Sequence, residues 1–310
     1  MITFLQQSLD RICIKAATAS VHGGWRRPDQ ADRAAKLLAA PDLLTPEVPA
    51  AKLQFTTRRH FKFDSVIDAP WDPSPAHGVL WRAGRDWQKR PAVILIHGWN
   101  GEMGYYFSFP GVQMALARRG VNALKFELPF HGLRRPMKRG QINNLISDDL
   151  VTMIEGVRHC LADIVSLRLW LLEQGCPSVS LWGYSLGGWL AGLLSAHPQP
   201  FKLAVLQNAV ARMDIAMATL PFAEVTRQSM AISPVNLDVF NLHNHKSNFE
   251  RTLILEGVRD LFVPPETLDD LAARWPSTEL WRMPHSHISI CFGAITLFRA
   301  VRWVSRHLKS

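Results

Sequence analysis

The feature that most constrains this chain is a set of short apolar runs that do not alternate. In Ala92-Val93-Ile94-Leu95-Ile96 every side chain is apolar, and the run stops at His97-Gly98. A strand with one wet face alternates apolar and polar residues, so a strand without alternation has both faces covered. Comparable segments recur at intervals, and strands are expected at 53–63, 78–83, 92–96, 122–128, 178–182, 203–207, 252–256 and 278–282. Helical stretches are expected near 105–119, 148–174, 186–196, 265–275 and 291–308. This order implies an α/β fold with a mostly parallel sheet and helices on both faces.

Two regions fall outside that rhythm. Residues 1–50 read as a helical extension lying on a main domain of residues 51–310. Phe4, Leu5, Leu9, Ile12 and Ile14 give the first part amphipathic character, a break follows at His22-Gly23-Gly24, and a second helical piece runs to Ala40. The Pro-punctuated stretch 41–49 is the connector. The second region, 211–250, carries Met213, Met217, Leu220, Phe222, Met230 and Phe240 between the sixth and seventh expected strands. It reads either as a small lid-like insertion or as a connecting helix pair with ordinary core methionines.

Composition narrows the class. With 310 residues, 47% of them hydrophobic and 20% charged, the chain can bury a core without disulfide or metal staples. The four cysteines form no Cys-x-x-Cys pair, so neither a zinc site nor a disulfide framework is expected and a reducing compartment fits. The N-terminus lacks a basic leader and a long apolar stretch, and no run of eighteen apolar residues occurs. A cytoplasmic protein with no transmembrane segment, metal or cofactor is therefore expected. The net charge of +9 favours anionic surfaces. Its basic residues are scattered, the nearest to clusters being Arg26-Arg27 and Arg134-Arg135-Pro136-Met137-Lys138-Arg139, and no nucleic-acid motif accompanies them.

The chemistry-bearing residues lie where the expected strands end. Val179 to Ala191 reads as strand, tight turn and helix around Gly183-Tyr184-Ser185-Leu186-Gly187. Such a turn lifts the serine hydroxyl above the sheet, and the helix that follows points its free N–H groups at the reacting centre. A serine needs a positioned base to become nucleophilic. Asp260 sits in a turn after the strand at 252–256 and suits a carboxylate that orients an imidazole; Glu256, on that strand, is the reserve. The base lies in Met283-Pro284-His285-Ser286-His287, where two histidines compete. His97 reads as a brace for its loop, His131 as structural, and Arg134 and Arg135 are candidates to face the site mouth.

His97-Gly98-Trp99-Asn100-Gly101, Gly183-Tyr184-Ser185-Leu186-Gly187-Gly188, Gly257-x-x-Asp260 and His287 together resemble the α/β-hydrolase superfamily over residues 52–310. The loop Pro129-Phe130-His131-Gly132-Leu133-Arg134 is most similar to dienelactone-hydrolase and acyl-esterase relatives. The resemblance implies an eight-stranded sheet whose second strand runs antiparallel, and attack on an ester, thioester or amide carbonyl. It implies the chain order Ser185, Asp260, His287 for a catalytic triad. His287 is favoured as base because relatives carry Gly-His before a helix, with Ser286 here in the glycine's place. The oxyanion donors implied are the amides of Leu186 and Trp99. Relatives that open epoxides or carbon–halogen bonds carry Asp where this chain has Ser185. A small-molecule ester is the expected substrate, bound against Met213, Met217 and Phe222. Acyl transfer, peptidase action on the same triad, and a non-catalytic binding protein of this fold are the alternatives.

Overall fold

The computed structural model describes residues 2–21, 29–67, 69, 75–101, 103–135, 145–147 and 149–308. The break at 22–24, the pair Arg26-Arg27 and the basic stretch 136–139 lie outside them. The chain opens with α1 (Ile2–Ser20) and α2 (Gln30–Leu38), then β1 (Gln54–Phe55), β2 (His60–Phe63), β3 (Ala76–Trp81) and β4 (Ala92–Ile96). After a π-helical turn at Met103–Ser108 come α3 (Phe109–Ala117), β5 (Asn122–Phe126), α4 (Leu150–Glu173) and β6 (Val179–Tyr184). Then follow α5 (Leu186–Leu193), β7 (Leu203–Gln207), α6 (Met213–Thr219), α7 (Glu224–Ile232), β8 (Arg251–Gly257), α8 (Pro265–Arg274), β9 (Thr278–Met283) and α9 (Ala294–His307).

The strands form one sheet in the order β1-β2-β3-β5-β4-β6-β7-β8-β9. β4 to β9 pair in parallel, while β3 is antiparallel to both its neighbours, β2 and β5. The sheet has nine strands and not eight, because the segment expected as one strand at 53–63 folds back on itself. Thr57 makes that turn without glycine or proline: its hydroxyl accepts from the amides of Arg59 (3.2 Å) and His60 (3.0 Å).

The unalternating runs are buried on both sides. In β4, Ile94 and Ile96 pack with α4 and α5 on one face, while Val93 and Leu95 pack with α3 and α9 on the other. α4 is buried along most of its length and is capped by Asp149, whose carboxylate accepts from the Thr152 amide at 3.2 Å. The parallel order sets the carboxyl ends of β4, β6, β7 and β8 along one edge of the sheet, where ligands bind in open α/β sheets.

α1 and α2 are tied into this body. Gln30 on α2 donates to Ser229 of α7 at 2.7 Å and accepts from the Leu150 amide opening α4 at 3.2 Å. α1 is helical as expected, but only part of its apolar stripe docks. Phe4, Leu5 and Ile12 are exposed, Leu9 and Ile14 are half-buried like Gln6 and Cys13, and the buried positions are Asp10 and Ala17. Between β7 and β8 the chain forms the short helix pair α6 and α7. No helix among the described residues is long and apolar enough to cross a membrane.

Candidate active site

Ser185 stands between β6 and α5 with φ 54° and ψ −117°. A non-glycine residue there carries strain on the order of 1–3 kcal/mol, which the surroundings must impose. They do so from both sides: the Ser185 amide donates to the Gln207 carbonyl (2.8 Å), and its carbonyl accepts from the Trp189 amide (3.0 Å). Space is the second constraint. A Cβ on Gly187 would lie 2.1 Å from the Ile96 carbonyl oxygen, so only glycine lets β4 and α5 pass at this point.

The Ser185 hydroxyl is 2.8 Å from Nε2 of His287, and Nδ1 of that ring is 2.7 Å from Oδ2 of Asp260. Both His287 and Asp260 are buried. The other carboxylate oxygen, Oδ1, accepts from the amides of Phe262 (2.7 Å) and Val263 (2.8 Å). Burial pushes the Asp260 carboxyl above its usual range, while His287 and the two amides work against that rise. The Phe262 ring stacks on the His287 imidazole at 4.4 Å and limits its tilt. The His287 carbonyl accepts from the Tyr184 hydroxyl at 2.9 Å.

Leu186 is the first residue of α5, so its N–H has no acceptor within the helix. The turn after β4 approaches from the other side: a Cβ on Gly98 would be 3.1 Å from the Ser185 Cβ, and Trp99 follows directly. Both residues line a cavity of about 270 Å³, as do Ser185 and His287.

The sequence model of the alpha/beta hydrolase family matches residues 93–303, from within β4 to within α9. This chain belongs to that family. No curated protein matches it in sequence. Solved structures share its fold. An acetyl xylan esterase from Paenibacillus sp. R4 aligns with a TM-score of 0.58 and 16% identity over 93% of this chain and 98% of its own. The Pyrococcus furiosus esterase Pf2001 gives 0.56 and 17% over 93% and 98%. Est1E from Butyrivibrio proteoclasticus, with ferulic acid bound, gives 0.57 and 14% over 76% and 96%.

In this alpha/beta hydrolase the cavity wall is almost wholly apolar. Met213 and Met217 of α6, with Phe222, form one side, and the Phe222 ring packs 4.6 Å from that of Trp99. Cys13, Ala16 and Ala17 of α1 form another part of the wall. Among the described residues no cluster of three or more His, Cys, Asp or Glu side chains is placed to hold a metal ion.

Of the two competing histidines, only His287 reaches Ser185. The His285 ring lies against Ser289 (3.5 Å), and burial and Arg259 lower its basicity. Glu256 stands apart from the imidazole, beside Arg282 at 3.8 Å. His97 accepts from the Leu128 amide through Nε2 (3.1 Å) and so donates through Nδ1 to the Gly98 carbonyl (2.8 Å), tying the β4 turn to the loop after β5. His131 is buried against the Pro129 carbonyl at 2.7 Å.

Arg134 does not face the site mouth. It turns inward to Asp163 of α4 at 2.8 Å, with both side chains fully buried, and also donates to the Glu127 carbonyl and to Nε2 of His159 (3.0 Å each). Arg135 is exposed and reaches Asn100 at the cavity edge, 3.1 Å away. The sequence reading passed over Asp10, Phe262 and Tyr184. The one local signal was Ser286 in a place where relatives carry glycine.

Proposed function

We propose that this chain is a serine hydrolase acting on carboxylic esters with uncharged, apolar acyl groups. The observation that carries this reading is the hydrogen-bond chain Asp260–His287–Ser185, with contacts of 2.7 and 2.8 Å, whose Ser185 and His287 line an apolar cavity. As the Ser185 oxygen attacks the ester carbon, His287 Nε2 takes its proton, and Asp260 stabilises the resulting imidazolium. The amides of Leu186 and Trp99 receive the developing oxyanion, a contribution worth about 3–4 kcal/mol per donor. His287 then passes the proton to the departing alcohol. Water releases the acyl group by the same steps in reverse.

The wall argues for esters over peptides. A peptide brings N–H and C=O groups that need partners, and leaving one unpaired in an apolar site costs about 1–3 kcal/mol. An ester of an apolar acid carries no such donor. The solved structures that share the fold and are named as esterases agree with this reading.

The test is Ser185→Ala beside His285→Ala, each assayed with p-nitrophenyl esters and fluorophosphonate labelling. Ser185→Ala should abolish both signals, while His285→Ala retains them. Undiminished hydrolysis in Ser185→Ala refutes the assignment.

A further inference from the structure

Asp10 lies on α1, at the opposite end of the chain from the histidine loop, and it is completely buried. Its Oδ2 accepts from the amides of Leu261 (3.2 Å) and His287 (3.0 Å). Its Oδ1 accepts from the Ile288 amide (3.0 Å) and the Ser286 hydroxyl (2.7 Å). Four donors from two loops therefore converge on one carboxylate, close to the number of lone pairs that it offers. One loop carries Asp260 and the other carries His287. The 2.7 Å contact between those two side chains depends on the distance between the loops, and Asp10 clamps the main chain of each immediately beside the side chain in question.

From this geometry we infer that Asp10 is a positioning residue for the Ser185 reaction, and that α1 is an integral part of the active site. The inference rests on the serine-hydrolase reading. It accounts for two departures noted above. Ser286 replaces the glycine of relatives because its hydroxyl is one of the four donors, with a further contact to the Gln6 carbonyl at 3.1 Å. α1 buries Asp10 and leaves Phe4, Leu5 and Ile12 exposed, because the surface it docks on includes a set of backbone donors and a cavity rim. The same helix thus walls the acyl cavity and holds the base.

Asn at position 10 has almost the same shape but replaces one acceptor oxygen with a donor group. At least one loop amide then faces N–H in place of oxygen, and the loop shifts. A small misplacement of a catalytic group costs up to about 100-fold in rate. In Asp10→Asn, kcat per titrated active site should fall about 10- to 100-fold. KM should stay within about twofold, since the cavity wall from Cys13 to Ala17 is unchanged. The downfield proton resonance of the His287–Asp260 hydrogen bond should shift or broaden.

Gln6→Ala is the control. It removes only the side-chain contact to Arg259 (2.8 Å), leaves in place the main-chain carbonyl that Ser286 reaches, and should leave kcat and the resonance unchanged. Asp10→Glu, which keeps the carboxylate, should recover part of the lost rate. Asp10→Asn with a lowered melting temperature but wild-type kcat per titrated site overturns the inference, as does equal loss of kcat in Gln6→Ala. If the wild-type chain hydrolyses no ester, the functional reading fails. The resonance comparison then still decides whether Asp10 holds His287 in place.

Discussion

Replacing Arg134 with methionine keeps most of the aliphatic volume and removes the cation from a fully enclosed ion pair. The partner, Asp163, is equally buried, and its remaining side-chain contacts are the Ser65 hydroxyl and the His159 imidazole, 3.7 Å away. Removing one member of such a pair strands a charge away from water, at a cost of about 3–5 kcal/mol. Unfolding entropy near 2.1 cal/mol/K per residue gives about 0.65 kcal/mol/K for 310 residues. The melting temperature should therefore fall by about 5–8 °C, measured by differential scanning calorimetry. Because the pair contributes through what breaking it leaves behind, Arg134→Met/Asp163→Leu should regain more than half of that loss. A drop under about 2 °C in the single variant, or a double variant no better than the single, would refute the reasoning.

Two further outcomes test other parts of the molecule. Burial, with the Asp269 charge nearby, lifts the Glu256 carboxyl from 4.5 to about 7. The folded chain therefore holds this proton more tightly than the unfolded one, and the associated stability, complete below pH 4.5, is lost as pH rises through 7. Urea denaturation should show Glu256→Gln gaining on the wild type as pH rises across that window, and a difference flat in pH counts against it. Met217→Trp intrudes on the cavity that Ser185 lines, so on the proposed function kcat/KM for an octanoyl ester relative to an acetyl ester should fall at least about tenfold. An unchanged chain-length profile would place the acyl group elsewhere.

Much of the fold was legible because burial leaves a direct imprint on composition. β4 and β7 lie at 92–96 and 203–207, where their unalternating apolar runs put them, since a strand covered on both faces tolerates little else. The hairpin at 53–63 was not legible. Its turn depends on the Thr57 hydroxyl, and nothing in Thr56-Thr57-Arg58-Arg59 carries the glycine or proline that usually marks a reversal. Arg134 was misread for a related reason: a basic residue beside other basic residues resembles a surface patch, and its partner Asp163 is on a helix that begins well after it. The docking face of α1 was hidden by its own periodicity. Phe4, Leu5 and Ile12 announce an apolar stripe, whereas the side that docks is chosen by backbone donors at 261, 287 and 288 that no local pattern reveals.

The bond between Asp10 and Ser286 joins positions 276 residues apart. At a synthesis rate of about 5–20 residues per second, the helix bearing Asp10 leaves the ribosome about 14–55 seconds before the loop that it holds. Throughout that interval its carboxylate is hydrated, and Ala17, buried once the helix docks, faces water. Catalytic competence in a newly made chain must then trail the closing of the central sheet, and a helix made well before the loop that it holds is among the last elements to take its place.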